Sequence, residues 1–175
     1  MAQQIVTLEK ASVADFDTVF AAMQESFIPE ERRDREDALA LFDDPAYTVY
    51  HVVKDGVRVG FITVFALEGF TFAEHFVVYA AYRNGGIGSA TLGALTSIHP
   101  RVILEVEYPE TALQARRLTF YKRNGFCEND VPYIQPPYRK GDQGTPLILM
   151  SYPVPLSSPE AAIAQIYRHV YHKEP

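Results

Sequence analysis

Tyr79-Ala80-Ala81-Tyr82-Arg83-Asn84-Gly85-Gly86-Ile87-Gly88-Ser89-Ala90-Thr91-Leu92-Gly93 is the stretch whose reading decides the fold. Phe70 to Val78, just before it, is rich in Phe and Val, as a buried strand is; after it Ile87, Leu92, Leu95 and Ile98 recur at roughly helical spacing. The order is strand, glycine-rich turn, helix start. Gly85, Gly86 and Gly88 remove the Cβ atoms that would keep a ligand from the backbone, and the first helical turn presents unpaired N–H groups and the positive end of its dipole. Such a turn suits a phosphate.

Three glycine-rich loops compete for this assignment. A Walker loop needs Lys-Ser or Lys-Thr after its glycines, and none follows here. A dinucleotide fingerprint needs a third glycine where Thr91 stands, and its first βαβ unit normally opens a domain. The run instead resembles the Arg/Gln-x-x-Gly-x-Gly/Ala signature of the GCN5-related N-acetyltransferases, the GNAT superfamily, matched by Arg83, Gly86 and Gly88. A second signature agrees. Phe120-Tyr121-Lys122-Arg123-Asn124-Gly125-Phe126 is similar to that family's helix closing in Tyr-x-x-x-Gly-Phe, with Gly125 where a helix stops in the left-handed region.

The resemblance implies an α/β (α+β) GNAT fold: a mixed, largely antiparallel central sheet of about seven strands, splayed between the fourth and fifth, flanked by helices. Residue patterns supply the elements. Strands are expected at 5–8, 47–53, 57–66, 70–78, 102–107, 126–134 and 146–152, and helices at 13–26, 86–98 and 111–124, with a shorter one ending near Asp43-Asp44-Pro45. Asp55-Gly56 marks a hairpin, Gly60 a bulge, and 135–144 a loop. Beyond a minimal GNAT domain, Ser157-Ser158-Pro159-Glu160 opens an extra C-terminal helix over 157–172 with Ile163, Ile166, Tyr167, Val170 and Tyr171 as an apolar stripe. It is expected to pack on its own domain, with a homodimer contact as the alternative.

Length and composition bound the rest. A chain of 175 residues, 47% hydrophobic and 22% charged, buries one core, so a single domain over 1–175 is expected. No run approaches the roughly 18 apolar residues of a membrane span, and MAQQIVTLEK lacks a signal-peptide layout, so the expected location is the cytoplasm without membrane attachment. The single cysteine, Cys127, allows no internal disulfide and no metal cluster; no metal is expected. A net charge of −6 without a basic block argues against a nucleic-acid partner.

The resemblance also implies roles. Acetyl-CoA would be the cosubstrate, its pyrophosphate held by amides of Arg83, Asn84, Gly85, Gly86, Ile87, Gly88 and Ser89, the Ser89 hydroxyl adding a bond. The Val78 N–H would meet the acetyl carbonyl, and Tyr121 would protonate the departing thiolate. Asn124 lies near the pantetheine end or terminates its helix, and Gln114 is the nearest substitute for an Asn that bonds the pantetheine in relatives. An ammonium must lose a proton before attack, so a carboxylate is needed. Glu74, four residues before Val78, is the first candidate base; Glu107 and Glu105, on one face of the next strand, are rivals as base or as anchors for a cationic acceptor. In the family the segment that holds Phe27 and Glu30 commonly lines the acceptor site, and the 135–138 loop with Tyr138 is expected to form one wall of the acceptor pocket. An N-acetyltransferase acting on a primary amine of a small molecule or peptide is the leading reading. The alternative is a GNAT-fold module that binds acyl-CoA without turnover.

Overall fold

A computed structural model describes residues 5–175 of the chain. Among them β1 is Thr7–Lys10, α1 Phe16–Ser26, α2 Arg35–Ala40, β2 Tyr47–Lys54, β3 Val57–Leu67, β4 Phe70–Val78 and α3 Ile87–Ile98. Then follow β5 Val102–Val106, α4 Ala112–Arg123, β6 Cys127–Glu128, β7 Ile134–Gln135, β8 Thr145–Pro146, β9 Ile148–Tyr152 and α5 Pro159–His169. Seven strands form one sheet in the order β1-β2-β3-β4-β5-β9-β6, and β7 pairs with β8 apart from it. The sheet is mostly antiparallel with one parallel pair, β4 with β5, joined by the α3 crossover. This is the mixed α/β sheet, with flanking and C-terminal helices, that the sequence predicts. None of the described helices is long and apolar enough to cross a membrane.

Two compact units are distinguishable: residues up to Phe65 with Ala73–Ile98, and Ala66–Phe72 with His99–Pro175. In the first, Val19 and Met23 of α1 pack with Val49, Phe61 and Val77, while Ile87 of α3 packs with Val6, Val52 and Val59. Strand alternation would put Val59 on the side of Phe61. The β2–β3 register shifts between Val52, opposite Gly60, and Val53, opposite Arg58, so Val59 is the extra residue of a bulge and turns into the other core. Gly60, read from the sequence as a bulge marker, has a second reason to lack a side chain. A Cβ there would lie 2.2 Å from the Val77 carbonyl oxygen and 3.1 Å from Val78 Cα.

The segment between α1 and α2 is held onto β4 by charge. Arg33 Nη1 donates to Glu74 Oε1 at 2.6 Å, with the two side chains only 10% and 1% exposed. Beside them the His75 ring lies 2.9 Å, through Nε2, from the Glu31 carbonyl oxygen and meets Phe27 edge-on at 4.7 Å. The His75 amide donates to the buried Thr63 hydroxyl on β3. Burial alone would raise the pKa of Glu74, but the charges of Arg33 and His75 and their hydrogen bonds outweigh it and hold the carboxyl at about 2.

In the second unit, α5 buries Ala162 and Ile166, spaced four apart, with Val170 and Tyr171 just beyond its end. Ser158 makes no side-chain cap, although Pro159 opens the helix as expected. The Gln165 amide both accepts from Glu68 N–H and donates to its carbonyl oxygen, gripping the β3–β4 turn. The strand expected over 126–134 is broken. Buried Asn129 donates to the Leu149 carbonyl and Ser151 hydroxyl and accepts from Leu156 N–H, so its side chain serves a loop junction and only Cys127–Glu128 pair with β9. Likewise the helix expected from Val13 begins as a short 3₁₀ turn, Val13–Asp15, with α1 proper starting at Phe16.

Two substitutions test these contacts. Gly60→Ala forces β4 away from β3 and lowers stability by about 1–3 kcal/mol in urea unfolding. Glu74→Gln strands the Arg33 charge and costs about 3–5 kcal/mol. Because the Glu74 pKa is lowered, the contribution of the pair is complete above the usual 4.5 and is lost as pH falls towards about 2. Unfolding curves between these values lose their pH dependence in part in the Gln variant.

Candidate active site

The glycine loop is built as the sequence implies, with one addition. A 3₁₀ turn, Ala80–Tyr82, intervenes between β4 and the glycines, and Asn84 and Gly86 adopt φ of 63° and 79°. Those two left-handed residues reverse the chain, and Gly86 carries no Cβ penalty for doing so. Arg83 to Gly86 are exposed. A Cβ on Gly85 would meet only Tyr82 O at 3.8 Å, so the loop is open on that side. The first intrahelical bond runs from Ala90 N–H to Gly86 O, leaving the amides of Ile87, Gly88 and Ser89 without an acceptor in the helix. Amides at a helix N-terminus beside an open glycine turn fit a pyrophosphate. Arg83 is committed elsewhere, its Nε donating to the Val78 carbonyl at 2.9 Å and tying the loop to the strand end.

Val78 itself is oriented by its neighbours. Tyr79 N–H bonds to Val59 O and His75 N–H to Thr63 on β3, so the amide of Val78, of opposite parity, points to the other edge of β4. Gly60 sits against this peptide, with Val78 Cα next to the place its Cβ would occupy.

Glu74 is in a different situation from the one the sequence implies. It has the expected parity with Val78, but its carboxylate is buried against Arg33 and His75 and its pKa is held at about 2. The carboxylate expected from the sequence as the first candidate base is thus engaged in an ion pair inside the fold. Phe27 packs on the core cluster and on His75, and Glu30 is exposed in the turn Pro29–Glu31.

The second unit holds the other candidates. Glu107, one residue past β5, is paired with Arg117 Nη1 at 2.6 Å, its side chain 35% exposed. Tyr121 is half-buried on α4, its ring against Phe120 and Phe126, and burial pushes its pKa up to about 12 despite the opposing charge of Arg117. Asn124 terminates its helix, Nδ2 donating to the Phe120 carbonyl at 2.8 Å. Gln114 is spent on the capping box of α4, its side-chain oxygen accepting from the Glu110 and Thr111 N–H groups while its backbone N–H donates to the Thr111 hydroxyl.

Glu105 is surrounded. Tyr133 OH and Tyr171 OH donate to Oε1, and Gln135 Nε2, at 2.7 Å, and Tyr171 OH donate to Oε2. Tyr138 lies against Tyr171 with ring centroids 5.4 Å apart. Sequence reasoning reached Tyr138 and the loop around it but missed Tyr171, which read only as part of an apolar helical stripe. It also missed His75, whose strand position marks it as buried but not as a partner of Glu31.

Comparison with known proteins agrees with this geometry. A family model described as an acetyltransferase (GNAT) domain matches residues 45–128. A GNAT-family acetyltransferase structure from Bacteroides thetaiotaomicron is 31% identical, with 94% of this chain and 97% of that one covered and a TM-score of 0.88. The fold is shared at lower identity by the ribosomal-protein-S18-alanine N-acetyltransferase of Escherichia coli (18%, 87% and 96% covered, TM-score 0.62). It is shared also by the dodecameric spermidine N-acetyltransferase of Vibrio cholerae (13%, 90% and 96% covered, TM-score 0.60). No curated protein sequence matches the chain. With the glycine loop, the sheet and a relative at this identity over nearly its whole length, the chain belongs to the GNAT family of acetyltransferases.

Proposed function

We propose that the chain is a single catalytic domain that transfers an acetyl group from acetyl-CoA to a primary amine. The observation that carries this is the exposed glycine turn opening α3, whose free amides fit a pyrophosphate. Bound there, acetyl-CoA supplies the activated thioester carbonyl. The Arg83–Ser89 amides hold the phosphates, and the Ser89 hydroxyl is exposed beside them. The Val78 N–H, directed away from β3, donates to the negative charge that develops on the acyl oxygen. Tyr121 keeps its proton at neutral pH and gives it to the departing sulfur. Of the two catalytic carboxylates read from the sequence, Glu107 retains solvent contact and accepts the amine proton through water, while Glu74 positions the segment from Phe27 to Arg35. Amine acceptors are named for the V. cholerae and E. coli neighbours, which supports the same class here.

A binding module without turnover is the second reading, favoured by one observation: the carboxylate in the expected base position is locked in an ion pair. Thiol release against a panel of amines separates the two. Acceptor-dependent release establishes the enzyme; binding of acetyl-CoA with no release from any amine favours the module.

Tyr121→Phe lowers kcat by about 100-fold with little change in the KM for acetyl-CoA. With its pKa near 12, Tyr121 gives the kcat profile of the native protein no alkaline fall until pH approaches that value. Acetyl-CoA raises the melting temperature of the native protein, and Gly86→Val, which places a branched side chain at φ 79°, abolishes that increase.

A further inference from the structure

We propose that the chain associates with a second copy of itself, the outward face of α4 on one copy seating in a cleft beside α2 on the other. Neither surface enters the proposed function, so the association stands apart from it.

The cleft belongs to the first unit. Val13, Glu36, Leu39, Ala40, Phe42 and Asp43 line a hollow of about 420 Å³. Val13 comes from the 3₁₀ turn ahead of α1, and Phe42 and Asp43 from the 3₁₀ turn Leu41–Asp43 that follows α2. Its lining is largely apolar and open to water, with Val13 61% exposed and Leu39 40%. Apolar side chains gathered in this way gain from any apolar surface that covers them. The side chains of Glu36 and Asp43 stand at the hollow with no ion-pair or hydrogen-bond partner among the described residues. Residues 13–44 hold ten of the chain's 22 carboxylates against three arginines. All three arginines are engaged within the unit: Arg32 by the Phe27 carbonyl, Arg33 by Glu74 and Arg35 by Asp17.

Charge identifies the occupant. α4 carries Arg116, Arg117, Lys122 and Arg123 and no acid, in a chain whose net charge is −6. Arg117 and Lys122 are paired with Glu107 and Glu128. Arg116 and Arg123 have no such partner among the described residues, and both are exposed. Seven positions apart, they lie within about 20° of each other around the helix. With Ala112 and Thr119 they form an exposed stripe directed away from Leu118, the buried residue of α4. Leu113, 54% exposed, stands at the edge of this stripe. An apolar knob flanked by cations thus matches an apolar hollow flanked by carboxylates, and every chain carries both halves, each complete within one unit. Held largely by the charges at its rim, the contact loosens as salt screens them.

The halves are different patches, so each can be reversed alone. Sedimentation equilibrium of the native protein, without added ligand and across micromolar concentrations, gives an average mass that rises above 19.7 kDa with concentration and rises less in high salt. The double variants Arg116→Glu with Arg123→Glu, and Glu36→Lys with Asp43→Lys, each weaken self-association by at least about tenfold. Leu113→Asp weakens it as well. Mixing the two double variants restores association, because a negative helix then meets a positive cleft. All five positions are exposed, so the urea midpoints of the variants stay close to the native one. The inference is overturned if the native protein stays at 19.7 kDa throughout, or if it associates and neither reversal matters. It is overturned equally if only one of the two reversals weakens association, which seats that surface on something else, or if the mixture of reversed variants fails to associate.

Discussion

The Arg33–Glu74 ion pair is the contact on which the first unit depends. Two charges taken out of water are costly, and the cost is offset only because the guanidinium approaches the carboxylate at 2.6 Å and histidine stands behind it. The pair joins residues 41 apart in sequence, so it closes the segment after α1 onto the middle of β4. Arg32 and Arg35 lie over the rings of Phe20 and Phe16, and Arg33 over that of Phe65, so the same segment is also laid down by three guanidinium–aromatic contacts. Charge and aromatic packing together give a proline-interrupted stretch one conformation.

Glu74 and Glu105 show how environment divides the work of identical side chains. Glu74 meets a full positive charge inside the fold and becomes part of the scaffold. Glu105 accepts hydrogen bonds from hydroxyls and an amide in a half-buried setting and gathers separate segments of the second unit around it. Tyr133 feels the same arrangement from the other side. Burial and the adjacent Glu105 charge drive its pKa far above the ordinary tyrosine value, so its hydroxyl remains a donor to the carboxylate.

The parts of the fold legible in sequence are those decided by local chemistry. Glycines 85, 86 and 88 with Asn84 announce the turn, helical spacing announces α3, and Asp55-Gly56 yields two successive positive φ angles at the hairpin. What was not legible is long-range pairing of polar side chains. Nothing near Asn129 says that its amide bonds to Leu149, Ser151 and Leu156, so the strand expected there runs too far. Gln114 has the composition of a ligand contact but the position of a helix cap. Tyr171 has the spacing of a core residue, while its hydroxyl reaches a carboxylate 66 positions away.

The chain has eleven tyrosines and no tryptophan. Its ultraviolet emission therefore comes from phenol rings, and a phenol hydrogen-bonded to a carboxylate is quenched by it. Tyr133 and Tyr171 both donate to Glu105, which places these two rings among the quenched ones. The hydrogen bonds that draw the second unit together around one carboxylate thus give the protein an optical reporter of their own integrity, with no attached label.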